Sequence, residues 1–231
     1  MCTAITFKGD DLIYGFNLDI DPAVWNYSLH KTKELFAVGI TVSKTTYYVH
    51  GVNRGGCFGN VPYMNADSIP APKGKRRERI DLMNDRYIRG KYTFDDMIQI
   101  LRTKALCSIP EAAMHSLIGS GNGEFIIAEP GYGYQKIDGR YAVLTNFPVL
   151  IPIKDYSNPF YGKERYDKTA AALEKAGAGF SAEDALRALL EVRQQGQWAT
   201  RVTFVYSKNQ NAVYYCEEDP KTIRVHRFAE T

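Results

Sequence analysis

The residue in this chain able to do chemistry with the fewest helpers is Cys2, which follows Met1 directly. Removal of Met1 would leave a thiol and a free α-amine on one residue. An α-amine titrates at about 8 and a thiol at about 8.5, so the amine can accept the thiol proton at little cost near neutral pH. Nucleophile and general base then need neither a distant histidine nor a metal, and the natural target is a carbonyl carbon. A cysteine is small enough for an initiator methionine before it to be removed. The alternative keeps Met1 in place and makes Cys2 an ordinary small apolar residue at the start of a strand.

Other chemistries find less support. The four cysteines, at positions 2, 57, 107 and 216, form no CxxC pair and do not resemble a disulfide framework. The four histidines, His30, His50, His115 and His226, are scattered without ligand spacing. No metal or other cofactor is expected. A net charge of +3 is too small to suggest nucleic acid. The one basic run, Lys73-Gly74-Lys75-Arg76-Arg77-Glu78-Arg79, is broken by Glu78, lacks interleaved aromatics and reads as a solvated helix start. The first residues lack a basic stretch and a long apolar stretch, and no apolar run reaches spanning length, so a soluble cytoplasmic protein without a membrane partner is expected. With 231 residues, 45% of them hydrophobic, and neither linker nor repeat, the chain reads as one domain over 1–231.

The elements that would position Cys2 begin at once. Alternation in residues 3–7 and 12–16, split by Lys8-Gly9-Asp10-Asp11, predicts a hairpin that holds Cys2 in a sheet. Strands are expected at 35–42, 46–50, 55–60, 114–118, 125–128, 141–145, 201–206 and 212–217. Helical spacing is expected over 76–88, 94–105, 162–176 and 181–195, with Thr93 and Ser181 as N-caps. Blocks of strands alternating with helix pairs argue for an α+β protein of antiparallel sheets covered by helices.

Five short segments then occur in order: Met1-Cys2-Thr3-Ala4-Ile5; Gly15-Phe16-Asn17-Leu18-Asp19; Gly51-Val52-Asn53-Arg54-Gly55-Gly56 with Gly59-Asn60-Val61-Pro62; Ile127-Ala128-Glu129-Pro130; and Leu144-Thr145-Asn146-Phe147-Pro148. Together they resemble the choloylglycine hydrolase family, which includes bile salt hydrolases, penicillin V acylases and, more distantly, acid ceramidase-like amidases. The resemblance implies a four-layer αββα N-terminal nucleophile hydrolase fold and hydrolysis of a linear, non-peptide amide. It makes Cys2 the nucleophile with its own amine as base, and Asp19 the residue that orients the amine. The Asn60 backbone N–H and the Asn146 side chain would be oxyanion donors, and an arginine completes the family's site. Arg201, placed before a closing strand, is the candidate. Phe16 departs from the family, whose segment reads Gly-Arg-Asn-Leu-Asp, and removes a cation from beside the thiol.

The 16 tyrosines and 11 phenylalanines suit an apolar acyl group. Phe16, Trp25, Tyr27, Phe58, Tyr63 and Phe147 are the expected substrate-binding residues, with core packing as the competing role for each. The expected partner is a small-molecule N-acyl amide such as a bile-acid, penicillin V-like or fatty-acyl amide; homo-oligomerisation stays open. Two other functions fit the same residues: an acyltransferase using the same acyl-enzyme, and a non-catalytic binding homologue, which Phe16 would favour.

Overall fold

The alternation in the first twenty residues becomes two adjacent strands buried on both faces. A computed structural model describes residues 1–65, 76–109, 112–151 and 153–229. Lys73, Gly74 and Lys75 of the basic run lie outside them. The first strands are β1 (Cys2–Lys8), β2 (Leu12–Asp19), β3 (Asn26–Lys31), β4 (Leu35–Val42), β5 (Thr45–Asn53), β6 (Phe58–Gly59) and β7 (Arg77–Arg79). Helices α1 (Ile80–Ile88) and α2 (Phe94–Thr103) precede β8 (Ala105–Cys107), β9 (Ser116–Gly119), β10 (Phe125–Glu129), β11 (Gly133–Ile137) and β12 (Tyr141–Leu144). Helices α3 (Lys163–Lys175) and α4 (Ala182–Glu191) lead to β13 (Thr200–Ser207), β14 (Ala212–Cys216) and β15 (Arg224–Arg227).

Two antiparallel sheets result. The first runs β12-β1-β2-β13-β14-β15 and the second β11-β10-β9-β6-β5-β4-β3, while β7 and β8 form a small parallel pair. Period-two alternation divides the side chains between layers. On β2, Leu12, Tyr14, Phe16 and Leu18 point into the core between the sheets, whereas Ile13 joins the core under α3 and α4. On β13, Phe204 and Tyr206 face inward and Val205 outward. A third core places Met83, Tyr87 and Leu101 of α1 and α2 against Ala37, Val49 and Ile126 of the second sheet. The layers are therefore helix, sheet, sheet, helix, as the resemblance implies. Capping boxes at Thr93 and Ser181 start α2 and α4.

Three departures from the expected elements have physical causes. Strands β3, β11 and β15 escape the period analysis because their side chains are mixed or largely exposed, unlike those of β12, a sheet edge that is buried. The helix expected from residue 76 begins only at Ile80, because Arg77–Arg79 pairs with Ala105–Cys107 as a strand. The charges of that segment are partnered rather than simply solvated: Glu78 receives Arg86 at 3.0 Å and Lys104 at 2.5 Å, and Arg79 reaches Asp81 at 2.5 Å.

Leu189 of α4 is fully buried in the core between the helices and the first sheet. Replacing it by alanine is expected to lower stability by about 2–5 kcal/mol, read from the midpoint of denaturant unfolding with an unchanged slope.

Candidate active site

Three neighbouring strands of the first sheet deliver polar groups to one end of the sandwich. Cys2 opens β1 opposite Leu18 of β2, so Asp19 follows at the next step beside the chain start. Thr200 opens β13 opposite Asp19. On the other side of β1, Ala4 pairs with Leu144, which brings Asn146, two residues past β12, alongside Cys2. The Cys2 backbone N–H donates to Asn146 Oδ1 at 3.0 Å.

A buried arginine from the helix layer closes this group. Arg165 Nη1 donates to Cys2 O at 2.5 Å and Thr3 Oγ1 at 2.8 Å and approaches Asp19 Oδ2 at 3.4 Å, while Nη2 donates to Asn146 Oδ1 at 2.7 Å. Its side chain and that of Asp19 are 6% and 0% exposed, so this is an ion pair shielded from solvent. Gly162 makes room for it. That residue has φ 71° and caps α3, and a methyl there would lie 2.2 Å from Arg165 Nη2.

Asn146 is fixed from every side. Its N–H donates to Tyr161 O at 3.0 Å, its carbonyl accepts from Asn65 N–H at 2.6 Å, and Nδ2 donates to Tyr63 O at 2.6 Å. The preceding carbonyl, Thr145 O, accepts from His115 Nε2 at 2.7 Å, and His115 Nδ1 lies 3.2 Å from Glu129. Glu129 also accepts the Val149 and Leu150 amides, which ties down the chain after Asn146. Asn60 is equally buried, its side chain paired with both backbone groups of Leu117.

Burial dominates the electrostatics. It pushes the Cys2 thiol above its ordinary value, opposed by the chain-terminal ammonium. It pushes the Asp19 carboxyl up to about 6, outweighing Arg165, the terminal ammonium and the 2.5 Å hydrogen bond from Thr200 Oγ1. Asp19 is therefore mostly ionised at neutral pH, but not far above its midpoint.

Cys2 and Asp19 open onto a cavity of about 770 Å³. Its walls are largely apolar, with Leu18, Ile40, Val49, Val61 and Met114 among them, and Trp25 and Tyr63 face it. The other expected substrate contacts lie elsewhere. Phe16 and Phe58 are fully buried between the sheets, Phe16 stacked on His50 and Phe58 on Tyr14. Tyr27 packs at the margin of the same core. Phe147 sits in an aromatic cluster with Tyr156 and Tyr166 near the start of α3. Alternation accounts for Phe16 and Phe58, which the sandwich core takes, while Trp25 and Tyr63 reach the cavity from connecting segments and Tyr47 from the start of β5.

Arg201 is not brought to the thiol. It is the extra residue of a β-bulge between Thr200 and Val202, which turns Thr200 toward Asp19 and leaves Arg201 paired with Glu218 at 3.2 Å. The guanidinium in contact with Cys2 is that of Arg165. Its sequence signal is a charge on the apolar stripe of a helix, since Arg165, Thr169 and Leu173 share the buried face of α3 at four-residue spacing. Thr3 and Thr200, also in this group, carried no signal beyond their strand positions.

Arg165→Ala is expected to cost about 3–5 kcal/mol in denaturant unfolding, because it strands a buried carboxylate. Arg165→Lys should not restore the loss, since an ammonium cannot serve acceptors on four residues in a fork. Asp19 also predicts a pH dependence. Its folded pKa of about 6 lies above the unfolded value of about 3.9, so between those values the folded state holds a proton that the unfolded state releases. Its contribution is full below pH 4 and lost as pH rises through 6. The stability of the wild type relative to Asp19→Asn, measured by thermal unfolding, should accordingly fall from pH 4 to 6 and level off above.

No family model matches the chain, and no curated protein matches it. Solved structures do. A conjugated bile acid hydrolase from Clostridium perfringens, in a variant with alanine for the cysteine at its second position, superposes with a TM-score of 0.71 at 13% identity over 97% of this chain and 92% of that one. An N-acylethanolamine-hydrolyzing acid amidase orthologue from Caenorhabditis elegans gives 0.60 at 14% identity, over 90% of this chain and 93% of that one. Penicillin V acylase from Agrobacterium tumefaciens gives 0.58 at 14% identity, over 97% and 84%. At such identities the likeness is one of fold. The likeness extends over nearly the whole chain and is that of a four-layer αββα sandwich, the architecture the five short segments imply.

Proposed function

We propose that this protein is a cysteine-dependent hydrolase of linear amides, acting after removal of Met1 on an N-acyl amide with an apolar acyl group. The observation that carries the reading is the meeting of Cys2, Asp19, Asn146 and Arg165 in one hydrogen-bonded group whose Cys2 and Asp19 line a largely apolar cavity. The shared fold supports it, as does the cysteine replaced in the Clostridium enzyme, which holds the sequence position that Cys2 holds here.

The chain's own groups suffice for the steps. With Met1 present, its ammonium donates to Asp19 O at 2.7 Å and its side chain lines the cavity. Without it, the free amine is the Cys2 nitrogen beside Asn146 Oδ1. That amine takes the Sγ proton, and Sγ attacks the acyl carbon. Asn146 Nδ2 has one hydrogen on Tyr63 O and a second free for the developing oxyanion. The Asn60 N–H is the other proposed donor, each worth about 3 kcal/mol in such sites. Breaking the C–N bond passes the amine's proton to the leaving group. Water, deprotonated by the same amine, then cleaves the thioester and regenerates the thiol. Ionised Asp19 steadies the ammonium formed in between, and Arg165 holds Asp19, Asn146 and the Cys2 carbonyl in register.

The intact mass of the purified protein should be that of the chain lacking one methionine, and acyl amides with apolar acyl groups should then be hydrolysed. Cys2→Ala is expected to lower kcat by roughly a thousandfold or more while leaving the unfolding midpoint nearly unchanged. Full retention of Met1, or equal turnover by Cys2→Ala, would defeat the reading in favour of a binding protein.

A further inference from the structure

His50 supplies a buried polar group to the part of the cavity wall where Leu18, Val49 and Val61 are apolar, while the polar lining residues Ser43, Thr45, Asn65 and Arg79 are more exposed. It lies on β5, is 4% exposed and lines the cavity near Leu18, Val49 and Val61. Its Nδ1 accepts the Val61 N–H at 3.2 Å. A backbone amide can only donate, so Nδ1 carries no proton and the hydrogen of the ring sits on Nε2. One face of the imidazole stacks on Phe16, with ring centres 4.3 Å apart and planes 21° from parallel, which offers the ring no acceptor in line with Nε2. Among the described residues Nε2 has no hydrogen-bond partner. Burial lowers the imidazole to about 3, so the ring stays neutral across the working pH range. Because His50 Nε2 is not among the buried side-chain atoms sealed off without a partner, it reaches the cavity, and whatever fills the cavity must supply its acceptor or leave it unsatisfied.

We propose that His50 is the polar anchor of the acyl cavity, its Nε2–H donating to an oxygen on the acyl half of the substrate. The inference rests on the amidase reading and narrows its substrate class to acyl groups that carry a hydroxyl, ether or keto oxygen within an otherwise apolar chain. A plain alkanoyl group would bury the donor unsatisfied. His50 acts here as a hydrogen-bond donor of fixed tautomer and not as an acid or base, because Nδ1 is committed to Val61 and the ring does not titrate near neutrality.

The test is a series of amides of one amine, in which an ether oxygen replaces successive methylenes of a straight acyl chain. The wild type should prefer one oxygen position over the plain chain by about tenfold in kcat/KM, chiefly through KM. His50→Phe should bring that ratio to about one, and His50→Gln, which keeps an N–H donor, should restore part of it. The inference is overturned if no oxygen position is preferred or if His50→Phe retains the preference. Should His50→Phe fail to fold, the ¹⁵N resonances of the wild-type imidazole decide. The Nε2 signal should remain that of a protonated nitrogen between pH 5 and 9 and should move on binding the preferred ether amide but not the plain one; equal shifts with both would overturn the proposal. Absence of hydrolysis throughout the series would count against the amidase reading alone. Calorimetric affinities for the same amides would then carry the same two outcomes for His50.

Discussion

One buried guanidinium organises the end of the sandwich where the chain starts. Arg165 has donors only, so every group around it must present an acceptor: two carbonyl-type oxygens, a hydroxyl and a carboxylate. That requirement settles which way the Asn146 amide points. Its oxygen turns to Arg165 and the Cys2 nitrogen, and its NH₂ is thereby directed to Tyr63 O. A neutral residue in place of Arg165 would leave that orientation undetermined and the Asp19 charge without its counterion. Helix α3, from the outer layer of the fold, thus sets the arrangement of polar groups on the inner strands.

The parts of the fold legible in the sequence were those with both a period and a buried face. The β1–β2 hairpin, β4, β10, β12 and β13 stand close to where alternation put them, and the two capping boxes mark α2 and α4. Strand β15, Arg224–Arg227, is invisible because its side chains are largely exposed; β12 is a sheet edge too, but a buried one, and is legible. In the site, residues carried by linear motifs, Cys2, Asp19 and Asn146, arrive together. No motif carries the arginine: its place before a strand suggests Arg201, and a one-residue bulge, which no composition reveals, pairs it with Glu218 instead. Arg165 could have been found only by asking why a cation interrupts an apolar helical stripe.

The aromatic residues teach a related lesson. Phe16 and Phe58 lie away from the cavity because a core shared by two sheets takes these large side chains for itself. Trp25 and Tyr63 come from connections rather than from strands in the interior of a sheet, and these face the open space. Phe16 influences the cavity at one remove, by stacking on the imidazole that does line it.

The two sheets divide the labour unevenly. Cys2, Asp19 and Thr200 belong to the first sheet, whereas Ile40, Val49 and His50 on the cavity wall belong to β4 and β5 of the second. A substitution on β4 or β5 therefore reshapes what the cavity admits without touching the hydrogen bonds that hold Cys2. Such an arrangement lets the wall of the cavity vary one residue at a time while the hydrogen-bonded group around Cys2 is inherited intact, a separation of variation from constancy that the double-layered architecture provides by geometry alone.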